Sequence, residues 1–271
     1  MAAGYEVVHV AVVPPATLEE ELVEKVAAVI GKNLYEIRLR LTGKIPKIIA
    51  NYDTIQRAEL AAKSLRELGL VVIVFSDSEL RKPTQLYKAR SLKFEEPAII
   101  LYNRSGQERR MEASEAFLIL NGRIQTYTET EVTKTTRKLN VTATLLTGGI
   151  PITKKVKEKT ISKSYQTESF VRLYDRTSPE LAVEILQHDF DYSFLGPEMV
   201  SSAAANFSIA IRKIREAFPQ AIFDDRLTEP FGADVSASIA QENIEANCKL
   251  IYWYYQAVGG AHSKANDTYS I

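Results

Sequence analysis

Two groups of side chains in this chain have the composition to do chemistry. The first is acidic: His188, Asp189, Asp191, Asp224 and Asp225 supply the oxygen and nitrogen donors of a divalent-metal hydrolase. The second is basic. From Val132 to Lys163 the sequence carries Lys134, Arg137, Lys138, Lys154, Lys155, Lys157, Lys159 and Lys163 against one anion, Glu158. That local excess sits in a chain whose 34 Lys and Arg balance 34 Asp and Glu, so whole-protein charge argues for no particular partner.

Each group has a plain structural reading beside the functional one. If residues 181–194 form a strand, period two places Asp189 and Asp191 on one face and turns His188 to the other, beside Phe190 and Tyr192. His188 is then a packed side chain rather than a ligand, and Asp224-Asp225-Arg226 reads as a turn or helix cap with its own ion-pair partner. Whether Asp189, Asp191, Asp224 and Asp225 converge depends on the fold. In the basic stretch, Lys155, Lys157 and Lys159 share one strand face and add their charge toward a common surface. With Arg137, Lys138, Lys154 and Lys163 they form the candidate anion-binding set, able to grip phosphates of nucleic acid or of lipid headgroups. The structural alternative, which weighs more, is a solvated face whose lysines block edge pairing.

Other chemistry is thin. Cys248 is the single cysteine, so neither an intrachain disulfide nor a cysteine-based zinc site can form. It falls on the apolar side of a helical pattern and reads as inert core. His9, His188 and His262 are the only histidines, too few for a histidine-rich metal site. Thr147-Gly148-Gly149 lacks the Lys-Ser/Thr that completes a phosphate loop and reads as a turn. No serine lies in a nucleophile elbow. The sequence therefore assigns no catalytic residue, no cofactor and no metal. The run Tyr252-Trp253-Tyr254-Tyr255 covers every side of a helical turn, and Tyr252, Trp253 and Tyr254 are candidate anchors of a protein interface.

The elements that position these residues predict an α+β fold in two domains. In residues 1–80, Glu6 to Val13 reads as a strand stopped by Pro14-Pro15. A helix follows with Thr17 as N-cap and Glu20 completing a capping box, ending at Gly31. Asn33 caps a second short helix, Lys47 to Ala50 is a strand, and Asp53 opens a third helix that stops at Gly69. The unbroken apolar run Leu70 to Phe75 predicts a central buried strand. The stretches Asn33-Leu-Tyr-Glu-Ile-Arg-Leu-Arg-Leu, Ile45-Pro-Lys-Ile-Ile-Ala and Ala58-Glu-Leu-Ala-Ala-Lys-Ser-Leu-Arg-Glu-Leu-Gly give this segment a pattern that resembles the compact βααβαβ C-terminal domain of the bacterial ribosomal stalk protein. That resemblance implies a docking module. It brings no binding residue, because the family's Gly- and Lys-rich start to the second helix is replaced here by Gly31-Lys32-Asn33-Leu34-Tyr35.

Residues 76–85 mix Ser, Asp, Lys and Pro83 and mark the expected boundary. Residues 88–258 read as an antiparallel β domain, a barrel or sandwich, with two C-terminal helices. Arg104-Ser105-Gly106 and Asn121-Gly122 are turn signals, and Asn140 to Leu146 and Ile150 to Val156 flank Thr147-Gly148-Gly149 as a hairpin. Met199, Ala203, Phe207, Ile211, Ile214 and Phe218 define one helix, and a last helix runs from about Val235 to Val258. Several antiparallel strands before a packing helix resemble, over 88–218, a pleckstrin-homology-like domain. Residues 259–271 read as a flexible tail. No stretch has the roughly 18 to 20 apolar residues of a transmembrane segment, so the expected location is cytoplasmic. The expected function is a non-enzymatic adaptor with a protein partner; the alternatives are nucleic acid or anionic lipid binding through the basic hairpin, or a metal-dependent hydrolase.

Overall fold

The computed structural model describes residues 6–139, 153–229 and 237–266. It is an α+β protein with two open sheets. The first follows the expected order: β1 (Val8–Val12), α1 (Glu20–Ile30), α2 (Leu34–Arg40), β2 (Lys47–Tyr52), α3 (Ile55–Glu67) and β3 (Val72–Ser76). Gly31 adopts φ 70° to close α1, a conformation that suits glycine because it has no β-carbon. Asn33 caps α2 by accepting from the Glu36 amide at 2.8 Å. Two expected caps shift. Glu19, with no side-chain cap bond, precedes α1 in place of Thr17, and Thr54 takes the cap of α3 while Asp53 pairs with Arg57 at 2.9 Å.

The strand order is β2-β1-β3 with both pairings antiparallel. β1, not β3, is therefore central, which corrects the expectation drawn from the apolar run 70–75. The run reflects cover on two faces. Val72 and Val74 pack with α1–α3, and Ile73 and Phe75 pack against the last helix of the chain. An edge strand covered on both sides looks in sequence like a central one.

Residues 76–85 carry ordered elements of their own. Ser76 caps α4 (Asp77–Arg81) in a complete capping box with Glu79, and β4 (Gln85–Glu95) begins three residues after Lys82. β4 opens a seven-stranded sheet with β5 (Ala98–Asn103), β6 (Glu108–Glu112), β7 (Ala116–Leu139), β8 (Thr153–Asp175), β9 (Leu181–Leu186) and β10 (Ile222–Leu227), in the order β10-β7-β8-β9-β4-β5-β6. Two expectations fail here. The sheet is open, not a barrel, and it is mixed rather than antiparallel, because β4 runs parallel to β9 and β10 parallel to β7. Asn121-Gly122 is not a turn either. It lies mid-strand in β7, with Gly122 opposite Phe170 of β8.

Layers of helix cover both sheets. One face of the large sheet packs on α5 (Ala203–Ala217) and a 3-10 turn (Ser193–Glu198) through Phe207, Ala210, Ile214 and Leu195. α6 (Ala237–Asn266) lies between the two sheets. Ile244, Cys248, Ile251 and Tyr252 meet β7 and β8, while Leu250 meets Ala11, Ile73 and Phe75 of the small sheet. α6 continues through 259–266, part of the segment expected to be a tail. Among the described residues, no helix is long and apolar enough to cross a membrane.

Candidate functional site

The main departure from a plain layered fold is the β7–β8 pair. It stays in antiparallel register from Ala116↔Asp175 to Leu139↔Thr153. The neighbouring strands stop early: β10 reaches Gly122 and β9 pairs only from Phe170 to Tyr174. From Arg123 and Ser169 outward, β7 and β8 form a two-stranded ribbon, and at about 3.3 Å per residue its 17 rungs span about 55 Å. The expected turn at Thr147-Gly148-Gly149, with the strand ends 140–146 and 150–152, lies outside the described residues.

Backbone register orders the charges along the ribbon. Glu129 and Glu131 lie nearer the sheet, with Glu129 opposite Lys163. The six outermost rungs, from Lys134↔Glu158 to Leu139↔Thr153, carry Lys134, Arg137, Lys138, Lys154, Lys155 and Lys157 against Glu158. Two of these rungs, Arg137↔Lys155 and Lys138↔Lys154, set cation opposite cation. Like charges directly opposite each other destabilise a strand pair. Lys159 falls opposite Thr133. The candidate anion-binding residues thus belong to one ribbon, with Lys163 nearest its base.

The acidic group comes apart. β9 ends at Leu186, so the strand assumed to reach Phe194 does not exist, and the period-two argument for Asp189 and Asp191 goes with it. Asp189 pairs with Arg90 at 2.7 Å. Asp191 turns back on its own loop, accepting from the Ser193 amide and hydroxyl, each at 2.9 Å. Asp224 and Asp225 sit in β10, not in a turn or helix cap, although the expected ion pair is present: Asp224 meets Arg226 at 2.5 Å. Among the described residues, no three His, Cys, Asp or Glu side chains are grouped to hold a metal ion.

No family model, curated protein or solved structure matches the chain. Its residues alone carry the functional argument.

The aromatic run of α6 divides between the core and partly open positions: Tyr252 is taken up in the core, while Trp253 and Tyr254 are half-buried. Tyr252 is fully buried, with Phe117 and Tyr174 each 5.5 Å away. Trp253 stacks on Phe75 of the small sheet at 4.8 Å. Tyr254 lies beside the Arg226 guanidinium, 5.1 Å from it. These side chains anchor an interface between the two sheets of one chain.

Three buried polar groups escaped the sequence reading. Arg172, 1% exposed, donates to Glu184 of β9 at 2.9 Å and to Glu245 of α6 at 2.5 and 2.9 Å. Burial opposes its charge, but Cys248, Tyr174, Glu245 and Glu184 around it outweigh that penalty and hold its pKa above the ordinary value. Its signal was present, since Phe170, Arg172 and Tyr174 share one strand parity and the outer two are apolar core. Lys249, also 1% exposed, donates to the carbonyls of Glu79 (2.9 Å), Leu80 (3.0 Å) and Lys82 at the end of α4, and burial pushes its pKa down. His9 bridges Asn51 Oδ1 at 2.8 Å and Asp77 Oδ1 at 3.0 Å. All three tie elements together, and the described residues place none of them in a cleft with a second reactive group.

Proposed function

We propose that the protein binds nucleic acid through phosphate contacts along the outer part of the β7–β8 ribbon. The observation that supports this is the register, which gathers six cations and one anion on the six outermost rungs. A two-stranded ribbon has the width to enter the major groove of a duplex, and Lys and Arg supply the phosphate affinity. The rest of the ribbon's composition fits the same partner. Twelve of the 34 residues in 123–139 and 153–169 are Ser or Thr, hydroxyl donors suited to phosphate oxygens, whereas a membrane-inserting hairpin would need more large apolar residues. We place this activity in the cytoplasm.

The test is fluorescence anisotropy with a labelled DNA duplex, repeated from low to high salt, on the wild type and on Lys155→Glu/Lys157→Glu/Lys159→Glu. The expected result is a steep fall of affinity with salt, approaching a log–log slope of about −5 if six phosphates are neutralised, and loss of binding in the variant. An isotherm indifferent to salt and to charge reversal overturns the reading. Binding to phosphatidylserine vesicles but not to the duplex would replace nucleic acid with lipid.

One observation favours protein binding as a second reading: the edge of β3 lies open in a cleft beside Trp253.

A further inference from the structure

The small sheet ends at β3, and the hydrogen-bonding phase of that edge follows from two bonds. The Val13 amide donates to Val71 O at 3.2 Å, and the Asp77 amide donates to Val7 O at 2.8 Å. In an antiparallel pair, bonded and non-bonded residues alternate, so His9↔Phe75 and Ala11↔Ile73 are the bonded pairs of the β1–β3 register. Val72, Val74 and Ser76 therefore direct their N–H and C=O groups away from β1, toward the open edge. Side chains already occupy the two ends. Arg66 donates to Val72 O at 3.4 Å, and the Ser76 amide donates to Glu79 Oε2 at 2.8 Å. Between them, the N–H and C=O of Val74 have no partner among the described residues.

This edge forms the floor of a cleft of about 380 Å³. One wall is α3, where Arg66 pairs with Glu59 at 3.3 Å, and the other is α6, with Trp253, Gln256 and Ala257. We propose that the cleft binds an extended segment of a partner protein, which adds to β3 as a fourth strand centred on Val74. A donor and an acceptor on one residue, both directed to the same side, are met together by another strand's backbone. The walls select its side chains: an apolar residue on the α6 side, against Trp253 and Ala257, alternating with a polar one beside the Glu59–Arg66 pair. A second copy of this chain fits less well. Its own β3 edge is walled by the same two helices, α3 and α6, so pairing two such edges would set those helices against each other. The inference deepens the protein-binding reading and is independent of the ribbon, whose duplex binding these variants leave intact.

The test begins with a random heptapeptide display library panned against the full chain. Selected peptides are then measured by fluorescence polarisation on the wild type, Val74→Pro and Ala257→Trp. Proline removes the outward Val74 donor at an edge position where no ladder bond is lost, and tryptophan fills the cleft from an exposed helix position should the proline variant fail to fold. Amide exchange of Val74, followed by NMR, supplies the direct readout. The expected result is alternating apolar–polar peptides that bind at least tenfold more weakly to the folded variants. In the free protein the Val74 amide exchanges faster than those of Ile73 and Phe75, and peptide slows it. The proposal is overturned if panning yields no binder, if binding ignores both substitutions, or if the Val74 amide is already protected in the free chain. A sedimentation mass of twice the chain that Val74→Pro halves would also overturn it, in favour of self-pairing.

Discussion

The ring of Phe170 occupies the space that a β-carbon on Gly122 would need. The two residues are opposite each other on β8 and β7, and a β-carbon built on Gly122 would lie 2.6 Å from the ring and 2.9 Å from the β-carbon of Leu227 on β10. Phe170 is fully buried, with the Arg172 guanidinium 5.3 Å from its ring, so it has little room to yield. Gly122 thus lets three strands close together where the ribbon leaves the sheet. Gly122→Ala is expected to destabilise the protein by about 1–3 kcal/mol through overpacking, measured as a fall in the urea midpoint with unchanged slope. A midpoint equal to wild type would show that the ring can move aside.

Arg172 makes the second prediction. Arg172→Met leaves the Glu184 carboxylate, 4% exposed, without its buried partner, and is expected to cost about 3–5 kcal/mol. Replacing the whole group, Arg172→Met with Glu184→Leu and Glu245→Leu, should recover much of that loss, because no buried charge then stands alone. Equal destabilisation of the single and triple variants in denaturant titrations would refute this account.

Cys248 offers a chemical probe of the same core. Burial pushes its thiol up to about 11, and the side chain is 1% exposed, so neither thiolate nor access is available in the native state. Iodoacetamide at pH 8 should label it only as fast as the region opens, and fully in denaturant, as followed by intact mass. Rapid native labelling would contradict the packing of α6 on β7 and β8.

Acid sensitivity should trace in part to Asp77. The hydrogen bond from His9, helped by Arg81, holds this carboxyl below its ordinary pKa. A depressed folded-state pKa adds stability above the unfolded value of about 3.9, and that contribution is lost as pH falls through the lower folded value. Asp77→Asn should therefore be less stable than wild type at pH 6 and should lose less stability between pH 4 and pH 2. Parallel stability–pH curves for the two proteins would remove Asp77 from the acid transition.

The local elements of this fold were largely legible in the sequence, and the long-range partnerships were not. Leu22, Val23, Val26, Val29 and Ile30 announced α1, and Asn33 announced the cap of α2, because caps and helical stripes are written within a few residues. The parallel pairing of Tyr87 with Val183 has no local signature, so the domain was expected to be an antiparallel barrel or sandwich. Gly122 misled for a related reason. Asn-Gly is a turn signal only when nothing else requires a glycine, and here Phe170 and Leu227 require it from a distance. The cations of the ribbon could be counted from sequence, but not that 17 rungs of β7 and β8 extend past their neighbours. The aromatic run of α6 was expected to divide between core and interface, but that Tyr252 belongs to the core was not legible, because Phe117 and Tyr174 reach it from distant strands.

That helix also imposes an order on biogenesis. α6 follows every strand of both sheets along the chain, so during synthesis each sheet waits with one apolar face uncovered until the helix emerges. The nascent chain then presents Ile73 and Phe75 on one side and Leu118, Leu120 and Tyr174 on the other to whatever chaperones are at hand. Such transiently exposed surface is where aggregation begins. A ribosome that stalled before residue 237 would hold two half-finished cores, with the segment that seals both still unmade.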